Sequence, residues 1–164
     1  MGSESMSTAP TSRETQRWLR LSAATHILLG LLVVQLLLGI YVAAMVTLPT
    51  TPPSLNQYLM GQGNAGVVAH IALTAILLLV GLVVLALAAT TRKTGVIVDA
   101  VFGLAFLALA AVGGYRFLFV TYQSSSALAL MIAGFVGALL AYAIAVGTAR
   151  RYRRASPPSP TPPA

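Results

Sequence analysis

From Leu21 to Thr47 the chain runs 27 residues without an Asp, Glu, Lys or Arg. A helix needs about 20 mostly apolar residues to cross the hydrocarbon core of a bilayer, so this run is long enough to span. Three further apolar stretches follow, at about 66–89, 96–122 and 125–149, in which Asp99 and Arg116 are the only Asp, Glu, Lys or Arg. Lipid tails cannot satisfy backbone N–H and C=O groups, which leaves helices or closed barrels as spanning structures, and runs of this length are helical. The pattern predicts an all-α membrane protein: a four-helix, up-down-up-down transmembrane bundle. Composition agrees, since the 164 residues are 57% hydrophobic and only 8% charged, against about 25% charged in an average soluble domain.

A net charge of +7 would suggest nucleic acid if it were spread over a surface. It is not spread. Nine of the ten basic residues lie in the N-terminal segment, in the 91–95 turn or in the C-terminal segment, and Arg116 is the tenth. The two remaining loops, 48–64 and 121–126, hold no charged residue. By the positive-inside rule this places both termini in the cytoplasm of a plasma-membrane protein. Nucleic acid is not an expected partner; the lipid bilayer is.

Residues 1–17 are polar and without apolar period, and are expected to be a disordered cytoplasmic tail. The domain proper is expected over 18–149, with 150–164 as a basic, Pro-rich cytoplasmic tail. The first apolar run far exceeds the roughly 7–15 residues of a cleaved signal, so it reads as an uncleaved anchor. Between the first two helices, Pro49, Pro52, Pro53, Asn56, Gly61 and Gly63 mark the longest loop. In the fourth run Ala133, Gly137, Ala141 and Ala145 recur every four residues, a small-residue face that should touch another helix. That face is also the expected surface for a homo- or hetero-oligomer.

Ionisable groups among lipid tails are rare and point to function. There are four: His26, His70, Asp99 and Arg116. His26 and Asp99 both lie near the cytoplasmic ends of their helices and could pair. Asp99 has a plainer reading as a negative charge at a helix N-terminus. His70 enters from the opposite side, at the depth of Arg116, Tyr115 and Met131. One imidazole, one thioether and one guanidinium at one depth would suit heme b, with His70 and Met131 as axial ligands to the metal. Arg116 and Tyr115 would receive the propionates, since the guanidinium fork binds carboxylates bidentately. Each residue also has a plainer role: His70 hydrogen-bonded to a neighbouring helix, Met131 as a gap-filler, and Arg116 snorkelling to the headgroups. Gln35, in mid-helix, reads as an interhelical hydrogen-bonding group.

The run VVQLLLGIYVAA, a proline-bearing outer loop and then AGVVAHIAL resemble the half-length, four-helix relatives of heme A synthase. The resemblance covers most of 18–149. It implies a heme ligand at His70 and a second about 61 residues later, in SALALMIAG, where this chain has Met131 or a close neighbour in place of histidine. It also implies an acidic residue in the first outer loop. Both outer loops lack Asp and Glu, so heme A synthase activity is not expected.

Other chemistries find no residues to carry them. The chain has no cysteine, which removes thiolate ligands, disulfides and thiol nucleophiles. No Gly-rich phosphate loop, carboxylate pair or hydrolytic triad appears. Two readings therefore stand. One is a heme-binding, b-type cytochrome-like electron-transfer protein, a membrane oxidoreductase subunit if it is an enzyme at all, with a quinone or membrane redox partner. The other is a non-enzymatic structural or assembly subunit of a larger membrane complex, without cofactor.

Overall fold

A computed structural model describes residues 12–48, 54–57 and 64–155. They form four long helices: α1 (Ser12–Met45), α2 (Ala65–Thr90), α3 (Thr94–Tyr115) and α4 (Ser125–Ala155). A single helical turn, Leu55–Gln57, lies between α1 and α2. Each long helix is apolar enough to cross a membrane, and the protein is an all-α, multi-span membrane protein. The first part of the N-terminal tail, most of the proline-bearing loop and the Pro/Ser tail lie outside the described residues.

Two helices run further than the apolar stretches predict. α1 starts at Ser12, so residues 12–17, expected in the disordered tail, form its first turns. Glu14 lies in that first turn, where a carboxylate complements the helix dipole, and Gln16, Arg17 and Arg20 are straight-chain helix formers. α4 likewise continues to Ala155, through the arginines expected to begin the C-terminal tail. A bilayer fixes where an apolar run must stop, but not where the hydrogen-bonded ladder ends.

Helix α3 passes into a π-helical turn, Arg116–Val120. The Thr121 amide donates to the Arg116 carbonyl at 2.8 Å, and Gln123 then takes a left-handed φ of 54° to close the turn into α4. An extra residue is thus accommodated in the last turn of the span.

Packing runs round a ring: α1 on α2, α2 on α3, α3 on α4 and α4 back on α1. α3 and α4 approach most closely, and glycines explain it. A Cβ on Gly113 would run into the backbone of Met131, and one on Gly134 into the backbone of Ala110 and Phe106. Where lipid removes the hydrophobic drive for helices to associate, this close backbone approach maximises dispersion contact. Gly137 admits the Phe106 ring, and Ala141 and Ala145 are buried. The small-residue ladder of α4 is therefore largely used within the chain, Gly137 against α3 and Ala141 and Ala145 in the interior, with Ala133 exposed.

The buried core joins Leu28 and Leu32 of α1, Leu77 and Val84 of α2, Val96 and Leu107 of α3, and Ala138 and Tyr142 of α4. One end of the bundle is tied by polar and aromatic groups. Arg17 donates to the Thr90 carbonyl at 3.3 Å, Trp18 stacks on Tyr152 with centroids 6.0 Å apart, and Lys93 Nζ lies 5.7 Å above the Tyr152 ring. The start of α1, the end of α2, the turn into α3 and the end of α4 meet there, at what is called the basic end below.

Candidate functional site

The polar centre of the bundle lies on the α1–α2 seam. Gln35 projects from α1 among apolar neighbours and is only 6% exposed. Its Nε2 donates to Thr74 Oγ1 at 2.8 Å, approaches the His70 carbonyl at 3.2 Å and lies 3.1 Å from His70 Nε2. Thr74 stands one turn after His70 on the same face of α2, and its hydroxyl donates back to the His70 carbonyl at 2.8 Å, the usual bond of a threonine within a helix.

These contacts assign the protons. Because the Thr74 hydroxyl hydrogen goes to a carbonyl, its oxygen is left to accept, and the group facing it must be the Gln35 NH2. One of its hydrogens goes to Thr74 and the other is shared between the His70 carbonyl and His70 Nε2; an N–H on Nε2 would oppose that hydrogen, so Nε2 accepts and the neutral imidazole is assigned its proton on Nδ1. Two buried polar atoms are left over. Gln35 Oε1 and His70 Nδ1 have no hydrogen-bond partner.

Gly39, one turn beyond Gln35, lets the ring lie against α1. A Cβ there would stand 3.3 Å from His70 Cε1 and 3.8 Å from Nδ1. At the far end of the same seam the Asn64 side chain caps α2 by accepting from the Gly66 amide at 2.8 Å. Tyr41 lies over that first turn, its Cε1 2.9 Å from where a Gly66 Cβ would be.

The other residues singled out in the sequence are placed elsewhere. Met131 packs in the α3–α4 seam, its Sδ 3.5 Å from where a Cβ on Gly114 would be, whereas His70 is turned to α1. Tyr115, at the end of α3, and Arg116, at the start of the π turn, are exposed, and Tyr115 packs instead on Phe119 with ring centroids 5.3 Å apart. His26 is exposed, and its Nδ1 bonds the Ser22 carbonyl of its own helix at 2.6 Å. Asp99 is half-buried with Oδ2 unpartnered, so the His26–Asp99 pair is not formed. His70 is thus brought together with Gln35 and Thr74, not with Met131, Arg116 or Tyr115.

Sequence reasoning assigned Gln35 its interhelical bond but missed Thr74, Gly39 and Tyr142. The spacing could have found the first two, because Gln35/Gly39 and His70/Thr74 are both i, i+4 pairs. Tyr142 is fully buried and its hydroxyl has no partner; a lone tyrosine in an apolar span was its only signal.

Among the described residues no three His, Cys, Asp or Glu side chains converge as a metal site. No family model, curated protein or solved structure matches the chain. The resemblance to heme A synthase relatives therefore rests on the two runs quoted above.

Proposed function

We propose that this chain is a small plasma-membrane binding protein, an up-down-up-down bundle with its basic end in the cytoplasm and a site for a lipid-soluble small molecule in its outer half. The positive-inside rule supplies the orientation. At 1.5 Å per residue, His70 then lies roughly 8 Å from the outer end of α2 and roughly 30 Å from the basic end. The observation that carries the reading is the pair of unpartnered buried atoms, Gln35 Oε1 and His70 Nδ1. An unmet buried polar atom is destabilising by about 1–3 kcal/mol, and two on one seam are what a bound molecule would relieve.

Heme b, the cofactor implied by the resemblance, would take an imidazole nitrogen of His70 as an iron ligand. The residues present do not fit it. His70 Nε2 is engaged by Gln35, and Met131 serves a different helix seam. Nor does the cofactor-free assembly reading gain from α4, because most of its small-residue ladder is used within the chain.

The test is native mass spectrometry of the full chain, purified in mild detergent from heme-replete cells, beside Gln35→Leu and His70→Phe. A small-molecule adduct on the wild type that both variants lose is the expected result. Its absence from the wild type, or its persistence in both variants, overturns the reading. So would a reduced-minus-oxidised heme spectrum that His70→Ala abolishes, which would restore the cytochrome.

A further inference from the structure

The hydrogen-bonding capacity left on the α1–α2 seam is specific enough to name the chemistry of the ligand, given the binding reading above. Thr74 has spent its hydroxyl hydrogen on the His70 carbonyl and its oxygen on Gln35. The Gln35 NH2 is spent on Thr74 and His70. What remains is one acceptor, Gln35 Oε1, and one donor, His70 Nδ1–H. They sit on two side chains joined by a 3.1 Å contact, one of which is only 6% exposed.

A hydroxyl is the smallest group that answers both, because its oxygen accepts while its hydrogen is donated. A carbonyl or an ether answers only the Nδ1–H donor and leaves Oε1 buried without a partner. We propose that the site binds a hydroxyl-bearing, lipid-soluble molecule, the hydroxyl oxygen accepting from His70 Nδ1–H and its hydrogen going to Gln35 Oε1. The site therefore favours a quinol over the corresponding quinone. A single methyl ether should be discriminated against in the same way, since sites built to bond a hydroxyl reject analogues that lack it.

The depth of the site is consistent with this class. A molecule entering from the outer leaflet meets the seam roughly 8 Å in, near enough to the interface for a polar head and deep enough to require an apolar body. Gly39 adds a steric condition, because a Cβ there would stand 3.8 Å from Nδ1, so a side chain at that position would crowd the edge that carries the donor.

The experiment uses the full chain in detergent micelles under anaerobic reducing or oxidising conditions, with affinities measured by calorimetric titration. The probes are decylubiquinol, decylubiquinone, a long-chain 4-alkylphenol and its methyl ether. The quinol should bind about tenfold more tightly than the quinone, and the phenol about tenfold more tightly than its ether, which is the usual effect of one buried acceptor left unmet. In Gln35→Leu both ratios should fall to about one. The phenol arm separates a hydroxylated lipid from a redox quinol, since both bind if the hydroxyl alone is read.

Equal affinities within each pair for the wild type would overturn the proposal, whether or not the variant folds. Failure of all four probes while a co-purified adduct still depends on Gln35 would overturn the hydroxyl assignment and leave the binding reading intact. No probe bound and no adduct would mean that ordered water alone meets the two atoms, and both readings would fall.

Discussion

Tyr142 of α4 lies flat against Gly103 of α3: a Cβ on that glycine would fall 2.6 Å from the ring's Cζ. The tyrosine is fully buried, and its hydroxyl reaches across to α2, where a Cβ on Gly81 would stand 3.1 Å away. One aromatic side chain thus fills the gap between three helices, and two glycines make the gap. Gly103→Ala forces the ring or α3 to move and should lower stability by about 1–3 kcal/mol, the range for overpacking a close-packed interior. Unfolding in mixed micelles would measure it, and an unchanged midpoint would show that the contact is slack.

The hydroxyl of the same tyrosine has no partner. Removing a buried polar group without altering the shape of the side chain relieves its desolvation at little expense in packing. Tyr142→Phe is therefore expected to be neutral or to stabilise by up to about 1 kcal/mol. A loss of stability instead would reveal an internal water or a proton-accepting partner at the centre of the bundle. The pair Gly103→Ala and Tyr142→Phe separates the steric role of the residue from its polar one.

The four spans were legible because bilayer thickness sets a length that an apolar run either meets or misses. Rotation about each helix axis was not legible. These spans are apolar nearly all round, so no polar stripe says which face looks inward. For that reason Met131, Arg116 and His70 could be ranked by depth in the sequence, and yet Met131 turns to α3, Arg116 to the surface and His70 to α1. Gln35 was the exception, because a polar amide in mid-span has to find a partner on a neighbouring helix. The π turn at Arg116–Val120 left no mark in the sequence, because it depends on how the chain closes into α4.

Glycines on the α3–α4 contact and glycines facing away from the bundle should respond in opposite senses. A Cβ on Gly134 would meet the backbone of α3, whereas Gly30 and Gly147 have nothing within 4 Å. Gly134→Ala must push two helices apart and should destabilise by about 3 kcal/mol, the upper part of the overpacking range. Gly30→Ala and Gly147→Ala should stabilise by about 0.5–1 kcal/mol, because alanine gives up less backbone freedom in a helix. Comparing the three midpoints checks the rotation of α1 and α4 directly.

At the basic end, Trp18 is 7% exposed and stacks on Tyr152, joining the first helix to the last. Trp18→Ala removes both the stacking and the buried area and should lower stability by about 3 kcal/mol. Arg17→Ala gives up one long, exposed bond to the Thr90 carbonyl and should change stability by less than about 0.5 kcal/mol. If the two variants behave alike, the end is held by charge and not by the aromatic contact.

Gly39 offers a way to perturb the candidate site without touching any of its polar groups. Its virtual Cβ lies 3.3 Å from His70 Cε1, close enough that the ring must yield by a few tenths of an ångström. The Gln35–His70 contact is already at 3.1 Å, near the long end of the 2.7–3.2 Å hydrogen-bond range, so a displaced ring weakens it and re-aims Nδ1. In Gly39→Ala the gain in helix propensity, about 0.5–1 kcal/mol, offsets much of the strain, and overall stability should move little. Ligand retained on the purified protein should nevertheless fall several-fold, while Gly30→Ala, on the same helix but with open space around it, should retain as much as the wild type. Equal loss in both variants would trace the effect to α1 as a whole; no loss in either would mean that the imidazole has room to spare and that Gly39 plays no part in shaping the site.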